Sequence, residues 1–129
     1  MSHESDRVRS PSYSERRTAE RVDVTWSVDC ETEDTFLYAS ITNISELGIF
    51  VATREPLEIG TRLTLRFAPP GHKPFVLQGM VQWVNPVRVL AENKNPGMGV
   101  RFVEITMEDR ERLVEAIRTI AYVQDAEVN

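Results

Sequence analysis

Apolar and polar residues alternate without a break from Val22 to Cys30. Val22, Val24, Trp26, Val28 and Cys30 fall on one side, and Asp23, Thr25, Ser27 and Asp29 on the other. A sustained period of two predicts a β-strand with one face buried and one in water. An acidic turn at 31–34 leads to a second strand at 35–42, and a corner at 43–48 passes to a third at 49–53. Pro56 and Gly60 punctuate the next connection. Leu63, Leu65 and Phe67 then alternate on a fourth strand that stops at Ala68-Pro69-Pro70-Gly71. Residues 75–84 are long and β-rich, with a bend or bulge expected at Gly79 in their middle. The short apolar stretch 87–90 is a further strand candidate, 92–96 is a polar loop, and 97–105 carries Met98, Val100, Phe102 and Ile105 on a last strand.

One helix is predicted. Thr106 is a good N-cap, and Asp109 three residues on makes a capping-box variant with acids in the first turn. Leu113, Val114, Ile117, Ile120 and Ala121 recur at helical spacing, so one stripe packs on the sheet. Residues 123–129 form a polar end, and the serine-rich, charged residues 1–15 read as a disordered tail. The fold class is therefore mainly β, a small six- to seven-stranded antiparallel barrel over 16–122 with one C-terminal amphipathic helix.

Composition narrows the function. A chain of 129 residues is one domain, and 41% hydrophobic with 27% charged residues is ordinary for a soluble protein. No apolar run approaches the roughly 20 residues of a membrane helix. The opening Met-Ser-His-Glu-Ser-Asp also lacks a signal peptide's apolar segment, so a cytoplasmic protein without membrane insertion is expected. The single cysteine, Cys30, excludes an internal disulfide and reads as a small core residue; His3 and His72 are too few for a metal site. No nucleophile–base set or phosphate-cradling glycine loop is present, so no enzyme is expected.

The net charge of −5 is unevenly spread. Residues 1–21 carry five arginines (Arg7, Arg9, Arg16, Arg17, Arg21) against four acids, while 22–129 carry ten basic residues against sixteen acids. A locally positive segment on an acidic body suits one small anion better than a nucleic acid. Trp26, Phe36, Phe50 and Trp83 are accordingly read as core rather than as a stacking platform. Arg17 and Arg21, four apart with Arg16 beside them, can bring guanidinium forks to one ligand of nucleotide size, where they bind phosphate bidentately or engage guanine edges. In the corner, Asn43 and Ser45 can hydrogen-bond backbone or ligand. Gly48 can adopt φ > 0 or let another group approach the main chain.

Arg16-Arg17-Thr18-Ala19-Glu20-Arg21 followed by Asn43-Ile44-Ser45-Glu46-Leu47-Gly48 resembles the two-part signature of PilZ domains, Arg-x-x-x-Arg and then Asp/Asn-x-Ser-x-x-Gly. The ending Gly97-Met98-Gly99-Val100-Arg101-Phe102-Val103-Glu104, running into a charged helix, is similar to that family's close. The resemblance implies a six-stranded barrel that binds cyclic di-GMP and needs no other cofactor. It places the ligand on Arg16, Arg17, Arg21, Asn43, Ser45 and Gly48, with Asn43 where many members have Asp. Output is expected to pass to an unidentified protein partner. The family also includes interaction adaptors that do not bind the dinucleotide, which is the alternative reading.

Overall fold

The computed structural model describes residues 21–87 and 95–128. The tail at 1–15, Arg16, Arg17 and most of the 87–90 stretch lie outside the described residues. Six strands form among the described residues: β1 (Val22–Glu31), β2 (Phe36–Ile44), β3 (Gly48–Ala52), β4 (Arg62–Phe67), β5 (Phe75–Asn85) and β6 (Gly97–Val103). They close into an antiparallel barrel in the order β1-β2-β3-β6-β5-β4, which leaves no free sheet edge between first and last strands. The crossover from β3 to β6 sets the corner of β2–β3 beside the end of the chain's last strand.

The alternation read from the sequence holds for β1. Val22, Val28 and Cys30 are buried, and Val24 and Trp26 pack against the same core. Ile41, Ile44, Ile49, Val51, Leu65, Phe75 and Met98 are sealed from solvent, and they fill the barrel interior. Stacked rings run through one side, with Trp26–Phe67 centroids 6.1 Å apart and Phe67–Phe75 centroids 5.3 Å apart. The acidic turn is as expected: Thr32 N–H donates to Thr35 O at 2.8 Å, and the Thr32 hydroxyl accepts from Thr35 N–H at 3.0 Å.

The bulge expected at Gly79 is not there. Gly79 is in regular register with Leu63 on β4 and Phe102 on β6, and a side chain at this position would strike Val100 and Leu65. The register shift in β5 falls between Val81 and Trp83 instead, at Gln82. A second shift lies between Ile41 and Asn43 of β2, opposite an irregular Asp23–Trp26 stretch in β1.

The helix α1 (Met107–Val128) has the expected N-cap, with Asp109 N–H donating to Thr106 Oγ1 at 3.1 Å, but the reciprocal half of the capping box is not formed, because the Asp109 carboxylate accepts from Arg112 at 3.5 Å instead. Glu104, at φ 56°, turns the chain out of β6 and pairs with Arg62 at 2.9 Å. Leu113 and Ala116 are buried, and Ile117, Ile120 and Ala121 pack against the barrel core. The polar end continues the helix through Val128. Polar contacts also hold α1 to the barrel: Arg110 reaches Glu46 of the corner at 3.3 Å, Arg112 donates to Lys73 O at 2.6 Å and lies 4.1 Å over the Phe75 ring, and the Gln124 amide donates to Asp23 O at 2.8 Å.

Cys30 is the core residue its strand position predicts, and burial, with the Asp29 carboxylate next to it, pushes its thiol from 9.0 up to about 12. The folded protein therefore holds this proton more tightly than the unfolded chain. The stability that follows is complete below 9.0 and is lost as pH rises toward about 12. Ellman's reagent should leave Cys30 untouched in the folded protein at mildly alkaline pH, and Cys30→Val should flatten the alkaline fall of the thermal midpoint. Leu113→Ala should lower unfolding free energy by about 2–5 kcal/mol, measured by urea denaturation, because the helix loses its one fully sealed leucine.

Candidate functional site

The corner is built by its own side chain. Ser45 N–H donates to Gly48 O at 2.9 Å, and Ser45 Oγ accepts from Leu47 N–H at 3.1 Å, which closes the turn between β2 and β3. Ser45 is fully buried, the one polar residue in that class among the described residues. The corner is pinned to β6 by Phe102 N–H donating to Leu47 O at 2.9 Å.

Gly48 lies opposite Arg101, and a Cβ there would run into the Val100 carbonyl and the Arg101 backbone. Among the described glycines, φ is positive only at Gly60 and Gly71. Of the two properties expected of Gly48, the close approach of another group holds and the positive φ does not. Glycine is required because β6 passes so close, and not for a left-handed turn.

Arg21 comes to this corner. Its Nε donates to Asn43 Oδ1 at 2.6 Å, and its Nη1 to Ser45 Oγ at 3.4 Å. The first is a strong charge-assisted bond and the second is weak. Partial desolvation lowers the Arg21 pKa from its usual value, yet an arginine remains a cation throughout. Four of the six expected site residues, Arg21, Asn43, Ser45 and Gly48, are brought together; Arg16 and Arg17 lie outside the described residues.

The two register shifts decide what surrounds them. Side chains alternate in and out along a strand, so one extra residue reverses the parity beyond it. At Thr42 the shift allows both Ile41 and Ile44 to face the core, and it turns Asn43 outward. At Gln82 it keeps Val81 and Val84 against the core and turns Trp83 outward. Asn43, Phe50, Gly99 and Trp83 then lie in one row across β2, β3, β6 and β5.

A Cβ at Gly99 would meet the Trp83 indole, and one at Gly97 would meet first the Val51 carbonyl and then the Phe50 ring. The Phe50 and Trp83 rings stack with centroids 5.4 Å apart at 30°. Trp83 is 51% exposed and Phe36 is 49% exposed, so neither is the core residue the sequence suggested. Phe36 sits outward at the start of β2, edge-on to Tyr38 at 5.0 Å.

Two clefts open on either side of this aromatic pair. One, of about 260 Å³, has Arg21, Gly48, Gln82, Trp83 and Arg101 in its walls. The other, of about 400 Å³, is lined by Asp23, Thr42, Asn43, Phe50, Trp83, Asn85 and Asn95. Trp83 borders both. The surface thus sets cations, amides and an exposed aromatic ring side by side.

Trp83 and Arg101 are absent from the set the sequence suggested. A jump from two to three in the apolar spacing, Val81 to Val84, is the signal for the bulge that exposes Trp83. A lone arginine at the end of β6 carries no such signal. Among the described residues no three His, Cys, Asp or Glu side chains come together to hold a metal. No helix among them is long and apolar enough to cross a membrane.

A profile of the PilZ domain family matches residues 15–119. Among solved structures, the chain is similar to the PilZ domain of YcgR from Escherichia coli with c-di-GMP, with a TM-score of 0.69 and 16% identity over 88% of this chain and 97% of that one. It is also similar to the Bacillus subtilis inhibitor of motility MotI/DgrA, with a TM-score of 0.65 and 21% identity over 81% of this chain and 50% of that one. A third likeness is to MrkH of K. pneumonia, with a TM-score of 0.67 and 13% identity over 86% and 51%. The chain spans about half the length of the last two. At these identities the likeness is one of fold. No curated protein sequence matches the chain.

The close approach of β6 makes Gly48 a sensitive position. Gly48→Ala should destabilise the fold by about 1–3 kcal/mol in thermal or urea unfolding, since the obstructing atoms are backbone and cannot rotate away.

Proposed function

The chain belongs to the PilZ domain family, and from that premise we propose that it is a cytoplasmic receptor for cyclic di-GMP that signals through a protein partner. The observation that carries this reading is the convergence of Arg21 on Asn43 and Ser45 beside an exposed indole on a glycine floor. Cyclic di-GMP is a dianion with two purine faces and two guanine edges. Arg21, with Arg17 and Arg16 from the preceding loop, neutralises phosphate and engages guanine. Asn43 offers its amide N–H groups to a base edge, and Trp83 offers its exposed face to a purine. A likeness in fold to the YcgR domain with c-di-GMP supports the same reading.

Ser45 acts differently from its neighbours. Because it is fully buried, it does not meet ligand while Arg21 covers it; it holds the turn and props the guanidinium. Charge-assisted hydrogen bonds contribute roughly 1.5–3 kcal/mol each, so two or three amount to a large part of the ~8 kcal/mol of a micromolar complex. Ligand drawn between Arg16, Arg17, Arg21 and the corner orders the arginine loop over itself, and this ordering opposes part of that gain.

Isothermal titration with cyclic di-GMP tests the reading. Arg21→Ala and Arg17→Ala should each weaken binding at least tenfold, about 1.4 kcal/mol, without loss of fold, and Ser45→Ala should weaken it less. Trp83 emission should be quenched on binding, and Trp83→Leu should abolish the change. No heat at tens of micromolar protein would favour the adaptor that does without the dinucleotide.

A further inference from the structure

We infer that Arg101 is a second anion-binding residue of the cleft, meeting the ligand's phosphate from β6 in the cavity that Arg21 also lines. The inference rests on the cyclic di-GMP reading above and adds a contact that lies outside the two-part motif.

Parity fixes where Arg101 points. Its neighbours Val100 and Phe102 are buried in the barrel, so Arg101 itself stands on the outer surface, where it is exposed. Its cross-strand partners are Gly48 on β3 and Met80 on β5. Gly48 has no side chain to cover it. The next outward residue back along β6 is Gly99, which Trp83 overlies. Arg101 therefore enters the same 260 Å³ cleft as Arg21, over a floor made of glycine backbone and an indole.

Charge completes the argument. Arg21 is engaged by Asn43 and Ser45, whereas Arg101 has no hydrogen-bond or ion-pair partner among the described residues. No Asp or Glu lines this cleft, and the nearby Glu46 carboxylate is taken by Arg110. Two cations facing one small cavity repel each other until an anion lies between them. A ligand with two negative charges meets that requirement, and guanidinium on phosphate makes paired, charge-assisted bonds. Since Arg101 sits on a strand of the barrel, its position does not depend on ordering the arginine loop.

The test is titration of cyclic di-GMP into the full-length wild type, Arg101→Ala, Arg101→Lys and Arg21→Ala proteins, with thermal midpoints measured in parallel. Arg101→Ala should bind at least fivefold more weakly at an unchanged midpoint. Arg101→Lys should recover part of the loss, and affinity in Arg101→Ala should depend less steeply on salt than in the wild type. Wild-type affinity in Arg101→Ala, alongside a weakened Arg21→Ala, would overturn the assignment and leave the receptor reading standing. A wild-type protein that gives no binding signal would overturn both. A loss of affinity that appears only with a lowered midpoint, and that Arg101→Lys does not relieve, would mark Arg101 as structural and overturn it too.

Discussion

Two extra residues in the barrel wall, Thr42 in β2 and Gln82 in β5, govern which side chains the surface presents. Each lies just outside the central β3–β6 pair, and each reverses the in–out alternation at the same level of the barrel. Without the first, Asn43 would face the core and could not meet Arg21. Without the second, Trp83 would face the interior and Val84 would turn outward. The core remains filled on both sides of each irregularity because Ile41 with Ile44, and Val81 with Val84, step by three where a regular strand steps by two.

The glycines of β6 and β3 follow from the same demand. Once Phe50 and Trp83 lie outward in one row, the strand between them must be bare, and Gly97 and Gly99 supply that bare backbone. Gly48 answers a second demand, which Gly97 shares against the Val51 carbonyl: the main chains of β3 and β6 come close there. Three glycines thus serve contact distance and not backbone freedom. Their combined effect is a flat apolar strip bordered by a cation at one side and amides at the other.

Much of this was legible before any coordinates. Period-two runs locate β1, β4 and β6, turn residues and β-rich composition locate β2, β3 and β5, and Thr106 locates the helix start, because burial on one face imposes the pattern that is read. Arg21, Asn43, Ser45 and Gly48 were legible through motif spacing, and they do converge. What escaped is whatever depends on parity. Glycine is the usual marker of a bulge and points to Gly79, yet the irregularity falls on Gln82, where the sign is a spacing and not a residue type. Trp83 was assigned to the interior for the same reason. Phe36 escaped because an aromatic at a strand's first position looks alike whether it faces in or out.

The two contacts at either end of α1 have a mechanical consequence. Arg110 fastens the first turns to Glu46 within the corner, and Gln124 fastens the far end to the carbonyl of Asp23, two residues beyond Arg21. A helix of 22 residues is a stiff rod of about 33 Å. Arg112 and the buried Leu113 and Ala116 clamp the first half of that rod, so a displacement of the start of β1 relative to the corner pulls on the Gln124 end. Tyr122 and Val123, exposed beside Gln124, stand on the half that such a pull would move.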